Sequence, residues 1–390
     1  MSQVASMRRI TILGATGSIG TSTADVVLRH ADRFQVHALV AHRNHARMLE
    51  LAHSLRPAWV IMTDAAAAAE LKGRLPEGTQ LGDDMDAAVA AASDPSVDVV
   101  LAAMVGSIGL PAAMAAVQAG KRVALANKEC LVTAGRLFMQ AARESGAEVV
   151  PVDSEHAAVH QCLVGHDAGS IRRIILTASG GPFRDRDPAT MQGITPEEAV
   201  AHPNWDMGAK ISIDSATMMN KALELIEARW LFDVAPDKLS AIIHPQSIIH
   251  GMVEYIDGSV VAQLAEPDMR GPIAYALQMS PRLESGIDFL ELATRGRLDF
   301  QAVDEARFPS MRLVKAVLKG RDSLAIAFNA ANEVANQAFR ERRIGFMDIV
   351  RIVEEVMAGC EDVSVHTLDE VWSRDRESRT SADSLIRRMS

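Results

Sequence analysis

The stretch ITILGATGSIGTSTADVV, residues 10–27, places an apolar strand directly before three glycines and the start of a helix. Gly14, Gly17 and Gly20 are spaced for a tight turn that lets a dinucleotide pyrophosphate approach free backbone N–H groups at the positive end of that helix. A glycine triplet alone is a weak signal, because a tight strand-to-helix turn uses the same residues. Its position on the first strand of an alternating region favours a dinucleotide-binding domain.

That alternation extends over residues 8–150, where short β-branched or apolar runs are separated by alanine-rich helical stretches. The runs are RRITIL, QVHALV, AWVIM, VDVVLA, RVALA and AEVVPV. Strands that alternate with helices at this rhythm form a parallel sheet covered by helices on both faces. The sequence therefore predicts an α/β fold with an N-terminal Rossmann-type domain.

The pattern changes after residue 150. In SIIHGMVEYIDGSVVAQL, residues 247–264, Asp257 and Gly258 separate two apolar runs, which indicates a β-hairpin. A strong helix is predicted over residues 216–232, and the chain reads as helical after residue 305, with Thr367 and Glu370 spaced as a capping box for the last helix. We predict a cofactor-binding domain over 1–150, a central α+β catalytic domain over 151–290, a linker over 291–304 and a C-terminal helical bundle over 305–390.

Composition limits the classes of partner. The net charge of −10 argues against a nucleic-acid or anionic-membrane surface, because both reward a basic face. Three widely spaced cysteines without a CxxC pair argue against a disulfide framework or a zinc knuckle. With no leader and no unbroken apolar span, we expect a cytoplasmic protein.

The end of the second strand bears on cofactor choice. An NAD-binding chain is expected to carry an acid here for the ribose hydroxyls, but the sequence reads LVAHRNHAR, residues 39–47. Arg43, with Asn44 and His42, is suited to a 2′-phosphate, which favours NADP. The alternative is a solvated arginine on a loop.

Two carboxylates follow the last strand of this region, in PVDSEHAAVHQ, residues 151–161. In an extended strand end Asp153 and Glu155 face the same side and can converge on one point. Two carboxylates at such a short distance repel each other unless a cation or a proton lies between them. Ligand sets made only of oxygen atoms suit Mg²⁺ or Mn²⁺. The ordinary alternative is a helix N-cap followed by a first-turn acid.

A third carboxylate is available in the predicted helix over 216–232. There Asn220, Lys221, Glu224 and Glu227 share a polar side at helical spacing. Ser215, Thr217, Asn220 and Lys221 crowd the helix start, where hydroxyl, amide and ammonium groups suit a phosphate. Glu224 is then placed for a metal beside that phosphate, whereas the alternative is a surface ion pair between Lys221 and Glu224.

Taken together, these segments resemble the 1-deoxy-D-xylulose 5-phosphate reductoisomerase family. The resemblance runs through GATGSIG, LANKE, PVDSEH, SGGPF, HPNWDMG, ISIDSATMMNKALELIEARWLF, HPQSIIHGMVEY and EPDMRGPIAYAL. It covers most of the chain. It implies rearrangement and NADPH-dependent reduction of 1-deoxy-D-xylulose 5-phosphate to 2-C-methyl-D-erythritol 4-phosphate, an oxidoreductase reaction with an isomerase step in isoprenoid precursor biosynthesis. One Mn²⁺ or Mg²⁺ per site and a homodimer are implied as well.

The resemblance also implies roles for particular residues. The implied cofactor contacts are Thr16, Gly17, Ser18, Ile19, His42, Arg43, Asn44, Asn127, Glu129 and Gly208. The implied metal ligands are Asp153, Glu155 and Glu224. The implied contacts to the phosphorylated sugar are Lys128, Ser154, Ser179, His202, Ser215, Asn220 and Lys221. Trp205, Met207, His250 and Met269 match a flap at about residues 202–210 and the positions supporting the site.

The chain departs from the common family pattern at His42, where glycine is usual, at Cys130, where serine is frequent, and at Ala178, where glycine often stands. None of these changes removes an implied ligand. Two other functions stay open from the residues alone. One is an NADP-dependent dehydrogenase that uses Cys130 or Cys162 as a nucleophile, and the other is a non-catalytic NADP sensor.

Overall fold

The computed structural model describes residues 7–201, 205 and 208–389. The strands are β1 (Arg8–Leu13), β2 (Phe34–Ala41), β3 (Trp59–Met62), β4 (Gln80–Gly82), β5 (Val99–Ala102), β6 (Arg122–Leu125), β7 (Glu148–Pro151), β8 (Ile171–Ala178), β9 (Leu239–Ile243), β10 (Ile249–Tyr255) and β11 (Val260–Leu264). The helices are α1 (Ser18–Arg29), α2 (His45–Leu55), α3 (Ala65–Ala69), α4 (Met85–Ser93), α5 (Leu110–Gln118), α6 (Glu129–Ser145), α7 (Ser154–Leu163), α8 (Pro196–Val200), α9 (Ala209–Ala216), α10 (Met219–Leu231), α11 (Arg270–Leu277), α12 (Leu292–Arg295), α13 (Ser310–Lys319), α14 (Asp322–Arg340), α15 (Phe346–Ala358) and α16 (Leu368–Met389).

The chain divides into two compact units. The first contains the residues up to Cys130, Phe138–Ala157 and Asp268–Asp288, and the second contains Leu131–Leu137, Ala158–Pro267 and the residues from Phe289 onward. The four-part division predicted from the sequence stays a prediction. Among the described residues, no helix combines the length and the apolar character needed to cross a membrane.

The first unit is built on a seven-stranded sheet in the order β4-β3-β2-β1-β5-β6-β7, and every pairing is parallel. Its central strands are buried on both faces, and β5 is buried at all four positions, as expected when helices cover both sides. This confirms the predicted α/β architecture. The strand order reverses at β1, and ligands of such sheets bind beyond the carboxyl ends of the strands at that point.

The second unit contains a four-stranded sheet in the order β11-β10-β8-β9. Strand β10 pairs antiparallel with β8 and with β11, whereas β8 and β9 are parallel. The predicted hairpin is present between β10 and β11, and Gly258 in its turn has φ +87°, a conformation that favours glycine.

Helices α13–α16 complete the second unit, which confirms the predicted helical C-terminal region. Their apolar faces share one core with α10 and with the four-stranded sheet; Ile226, Val314, Phe328 and Ile349 are all buried in it. Thr367 caps α16, because its Oγ1 accepts from the Glu370 N–H at 3.2 Å. The Glu370 carboxylate accepts from the His366 N–H instead of closing the box on Thr367.

The helix predicted over residues 216–232 is present as α10, but it begins at Met219 and not at about residue 216. Helix α9 ends at Ala216 and α10 begins at Met219. Between them, Met218 has φ +58°, which breaks the helical path. The sequence carries no glycine or proline at this corner to indicate the break.

Candidate active site

The first glycine loop is shaped by backbone contacts. Gly14 has φ +86°, and a Cβ there would lie 2.4 Å from the Ala103 carbonyl oxygen. A Cβ at Gly20 would lie 2.4 Å from the Gly14 carbonyl oxygen. Gly17 is the N-cap residue of α1 and, as a glycine, has no side chain that could accept from the first-turn N–H groups of this helix. Thr16 lies in the turn before Gly17, and Ser18 and Ile19 begin α1. Their contacts to the cofactor stay a prediction.

The three residues predicted for the 2′-phosphate directly follow β2. The Arg43 Nε donates to Asp64 Oδ2 at 2.9 Å, and 76% of the Arg43 side chain is exposed. The Ala67 N–H, and after it the Arg43 guanidinium, hold the pKa of Asp64 below its usual range. The side-chain Oδ1 of Asn44 caps α2 by accepting from the Arg47 N–H, and the His42 Nδ1 lies 3.1 Å from Thr63 Oγ1. The outer edge of the Arg43 guanidinium therefore stays available to an anion.

Asn127, Lys128 and Glu129 stand where β6 leads into α6, and all three are buried. Asn127 Nδ2 donates to the Gly106 carbonyl at 2.9 Å, and its Oδ1 accepts from the Glu129 N–H at 3.1 Å. The Lys128 Nζ lies 2.9 Å from Asp153 Oδ2, and both side chains are about nine-tenths buried. In the first unit, an ion pair therefore connects the segment predicted to border the nicotinamide with Asp153, a predicted metal ligand.

The sequence predicted that Asp153 and Glu155 lie at an extended strand end, but the structure places them at the start of a helix. Strand β7 ends at Pro151 and α7 begins at Ser154, so Glu155 stands in the first helical turn. The Ser154 hydroxyl donates to the Glu155 carboxylate. His156 is fully buried in the same turn, with its Nδ1 3.8 Å from Asp153 Oδ1. The acids thus cluster at a helix start, where the helix dipole favours their negative charge.

The second unit assembles most of the residues predicted to hold a phosphate. Ser179 follows β8, and its Oγ accepts from the Gly181 N–H at 3.1 Å. A Cβ at Gly181 would lie 2.9 Å from the Ser215 carbonyl oxygen, so the loop of Ser179 packs closely on the end of α9. The turn after α9 leads directly to Asn220 and Lys221 at the start of α10.

The surface ion-pair alternative for Lys221 and Glu224 is wrong. The two side chains are 3% and 1% exposed, and the Lys221 ammonium contacts the Glu224 carboxylate directly. Asn220 Nδ2 donates to the other oxygen of Glu224. Keeping a carboxylate charged at this depth is costly without such partners or a metal ion. This burial distinguishes Glu224 from an ordinary helix-surface acid.

The structure describes only some of the residues predicted to form the flap and to support the site. His202 and Met207 lie outside the described residues. The Trp205 ring lies 6.2 Å from the His250 ring, centroid to centroid, and His250 is buried on β10. Gly208 is the exposed N-cap of α9, and Met269 is the residue before α11 in the first unit.

A thiolate nucleophile finds no support. Cys130 is fully buried and Cys162 is 3% exposed. Burial raises the pKa of the Cys162 thiol to about 11, so it stays protonated and unreactive near neutral pH. This disfavours the dehydrogenase with a catalytic cysteine.

One buried polar group was missed at the sequence level. Asp214, on α9 directly before Ser215, is 1% exposed and accepts from Asn332 and Asn336 of α14. The available signal was the spacing of asparagines at 329, 332 and 336 on one face of an otherwise apolar helix.

Comparison with known proteins gives the family. Residues 10–135 match the family model described as 1-deoxy-D-xylulose 5-phosphate reductoisomerase, and 149–232 and 264–381 match two models of its C-terminal domains. The reductoisomerase of Pseudomonas putida (strain W619) is 50% identical over 390 residues, covering 98% of each chain. That of Paraburkholderia xenovorans (strain LB400) is 49% identical over 98% of this chain and 96% of the relative.

Solved structures agree. The Zymomonas mobilis reductoisomerase in complex with NADPH superposes with a TM-score of 0.92 at 44% identity, over 97% of this chain and 99% of that one. A DOX-P reductoisomerase in complex with NADPH, fosmidomycin and magnesium gives a TM-score of 0.91 at 39% identity, over 98% of both chains. Sequence, fold and matched models lead to one conclusion: the chain belongs to the 1-deoxy-D-xylulose 5-phosphate reductoisomerase family.

Proposed function

We propose that this chain converts 1-deoxy-D-xylulose 5-phosphate to 2-C-methyl-D-erythritol 4-phosphate, using NADPH and a divalent metal ion. The observation that carries the proposal is the buried Glu224, held by Lys221 and Asn220, in a chain 50% identical to a reductoisomerase over nearly its full length. The three carboxylates Asp153, Glu155 and Glu224 argue against a sensor without chemistry, because such a sensor has no use for a metal site. The solved relatives with bound NADPH and magnesium support the same choice of cofactors.

The cofactor is NADPH. The turn from Thr16 to Ile19 binds its pyrophosphate on backbone N–H groups, and Arg43 with His42 and Asn44 binds the 2′-phosphate. Asn127 and Glu129, with Gly208, border the nicotinamide ring. The Asn127 side chain is fixed at both ends by backbone partners, so this edge is rigid before the cofactor binds.

Asp153, Glu155 and Glu224 hold one Mg²⁺ or Mn²⁺. The donor set fits such an ion because all three groups are carboxylates, and hard divalent cations prefer oxygen ligands. When bound, the ion acts as a Lewis acid on the carbonyl and hydroxyl oxygens of the substrate. The Lys128 ammonium lies 2.9 Å from Asp153 Oδ2 and the Lys221 ammonium contacts Glu224, so each of these two carboxylates has a positive partner.

The phosphate of the substrate is held in the second unit. Ser179, Ser215, Asn220 and Lys221 offer two hydroxyls, an amide and an ammonium from three neighbouring segments of chain. Ser154, Lys128 and His202 contact the sugar part. Phosphate binding remote from the reacting carbons provides binding energy that orients the substrate, and Trp205 on the predicted flap excludes water. Met207, His250 and Met269 are the other flap and supporting positions that the family resemblance implies.

The assembly and the location of the protein are further parts of the proposal. We expect a homodimer through the four-stranded sheet, because Val260 on its edge strand β11 is 52% exposed and an exposed edge strand can pair with another chain. We expect a cytoplasmic protein because all three cysteines are free thiols. Nucleic acid and membrane are not expected partners, since the chain is acidic.

Arg43 gives a test of cofactor choice. In Arg43→Gln we expect the KM for NADPH to rise about tenfold, because a charge-assisted contact to phosphate contributes about 1.5 kcal/mol. The KM for NADH should change less than twofold, because NADH has no 2′-phosphate. Arg47→Gln is the matched control, since Arg47 pairs with Glu50 on the surface of α2. Equal changes for both cofactors would contradict this role.

The function itself is tested by NADPH oxidation with 1-deoxy-D-xylulose 5-phosphate, followed by absorbance and by identification of the product. After chelation and desalting we expect no turnover, and addition of Mg²⁺ or Mn²⁺ should restore it. The product should be the branched polyol phosphate. Turnover that needs no metal, or oxidation of NADPH without the branched product, would refute the proposal.

A further inference from the structure

A buried acid with no assigned role lies directly beside Ser215. Asp214 Oδ1 accepts from Asn332 Nδ2 at 3.0 Å and from Asn336 Nδ2 at 2.9 Å. Its Oδ2 lies 3.0 Å from the Lys210 Nζ. Three donors therefore surround one carboxylate that is 1% exposed.

These contacts fix α9 at more than one point. Asn336 Nδ2 also donates to the Lys210 carbonyl at 3.0 Å, so a single amide of α14 grips both the first turn of α9 and Asp214. The Ser310 hydroxyl of α13 donates to the Thr217 carbonyl at 2.7 Å, just after α9 ends. The C-terminal helices thus hold α9 at its beginning, at its middle and beyond its end.

The far end of α9 packs closely against the backbone of Gly181. A Cβ on Gly181 would lie 2.9 Å from the Ser215 carbonyl oxygen and 3.0 Å from the Ala216 Cα. Any shift of α9 is therefore transmitted to the loop that carries Ser179 and to the turn before Asn220. In a closely packed core such a shift has no empty space to absorb it.

We propose that Asp214, held by Asn332, Asn336 and Lys210, is a positioning residue that sets α9 so that Ser215 meets the substrate phosphate. This inference rests on the proposed function and deepens it. It assigns the C-terminal helices a part in phosphate recognition beyond their contribution to the core. A buried carboxylate that accepts from two amides and pairs with an ammonium group requires a defined geometry of the helices that carry them.

Asp214→Asn is the informative variant. The new amide keeps an oxygen for the two asparagine donors but turns an N–H₂ group toward the Lys210 ammonium, so donor faces donor. We expect the KM for 1-deoxy-D-xylulose 5-phosphate to rise about tenfold, since small misplacements of binding groups have large effects. The inhibition constant of inorganic phosphate, competing with the substrate, should rise in parallel, and the KM for NADPH should stay within twofold.

Asn336→Ala and Asn329→Ala form a matched pair on the same helix. Both asparagines are buried, but Asn329 donates to Glu333 and not to Asp214. Urea unfolding of each variant gives the loss of stability to compare with the kinetics. We expect Asn336→Ala to raise the KM for substrate and the phosphate inhibition constant, and Asn329→Ala to change neither at a similar loss of stability.

These experiments distinguish failure of the proposed function from failure of the positioning role of Asp214. If the wild-type enzyme shows no metal-dependent turnover, the proposed function fails. If the wild type is active but Asn336→Ala and Asp214→Asn bind substrate and phosphate as the wild type does, the positioning role is wrong. Should Asp214→Asn fail to fold, Asn336→Ala decides, because it leaves the ion pair of Asp214 and Lys210 in place.

Discussion

Glu224→Gln is expected to lower kcat about a thousandfold at saturating NADPH and substrate. The amide keeps the shape of the side chain and an oxygen for Asn220, but it removes the negative charge that a divalent ion requires. Lewis-acid stabilisation contributes several kcal/mol, and each 1.4 kcal/mol is about tenfold in rate. Steady-state kinetics over a range of Mn²⁺ concentrations measure the effect, and excess metal should recover only a small part of the rate.

Glu254→Gln is the control for this variant. Glu254 is a carboxylate of β10 with a 13% exposed side chain, and its partners are Arg172 and Arg173. The substitution therefore removes an ion-paired acid from the same unit at a position outside the predicted site. Its kcat should stay within twofold of wild type. A Glu224→Gln enzyme that retained a tenth or more of the wild-type kcat would show that Glu224 is not a metal ligand.

Gly14→Ala should weaken cofactor binding and destabilise the first unit. An alanine at φ +86° costs about 1 to 2 kcal/mol, and its Cβ would meet a backbone oxygen at 2.4 Å that cannot move without shifting the strand before it. We expect the free energy of unfolding to fall by about 3 kcal/mol. The KM for NADPH should rise at least tenfold, measured beside urea unfolding of the same preparation.

Gly73→Ala is the control that separates the cost of a positive φ from the cost of a steric clash. Gly73 has φ +73°, but nothing lies within 4 Å of the position that a Cβ would take. This variant should lose only about 1 kcal/mol, with an unchanged KM for NADPH. Equal losses of stability and equal KM values for NADPH in Gly14→Ala and Gly73→Ala would contradict this explanation. They would show that close backbone packing is not the reason why glycine is needed at residue 14.

The parallel sheet was predictable because its strands are short apolar runs between alanine-rich helices. Strand β4, Gln80–Gly82, was not, since three residues with one apolar side chain give no periodic signal. The break between α9 and α10 was hidden for a different reason. Its strained residue is Met218, and tertiary packing imposes a left-handed conformation there that no local preference predicts.

The predicted site residues were found through their chemistry, but their surroundings were not predictable. Helical spacing puts Lys221 and Glu224 on one face, yet it does not say that this face is buried. Likewise, Arg43 was predicted from its place after β2, whereas its partner Asp64 comes from the next β–α connection along the sheet. Asp214 was missed altogether, because its two amide partners lie more than 100 residues away in the chain.

Binding of Mn²⁺ tests the central claim most directly, because it needs neither turnover nor substrate. We would titrate chelator-treated protein with Mn²⁺ and follow free Mn²⁺ by electron paramagnetic resonance, with NADPH present. The wild type should bind about one ion per chain. The variant Asp153→Asn, Glu155→Gln, Glu224→Gln should bind none while its far-ultraviolet circular dichroism is unchanged. Equal binding by the wild type and this triple variant would contradict the account.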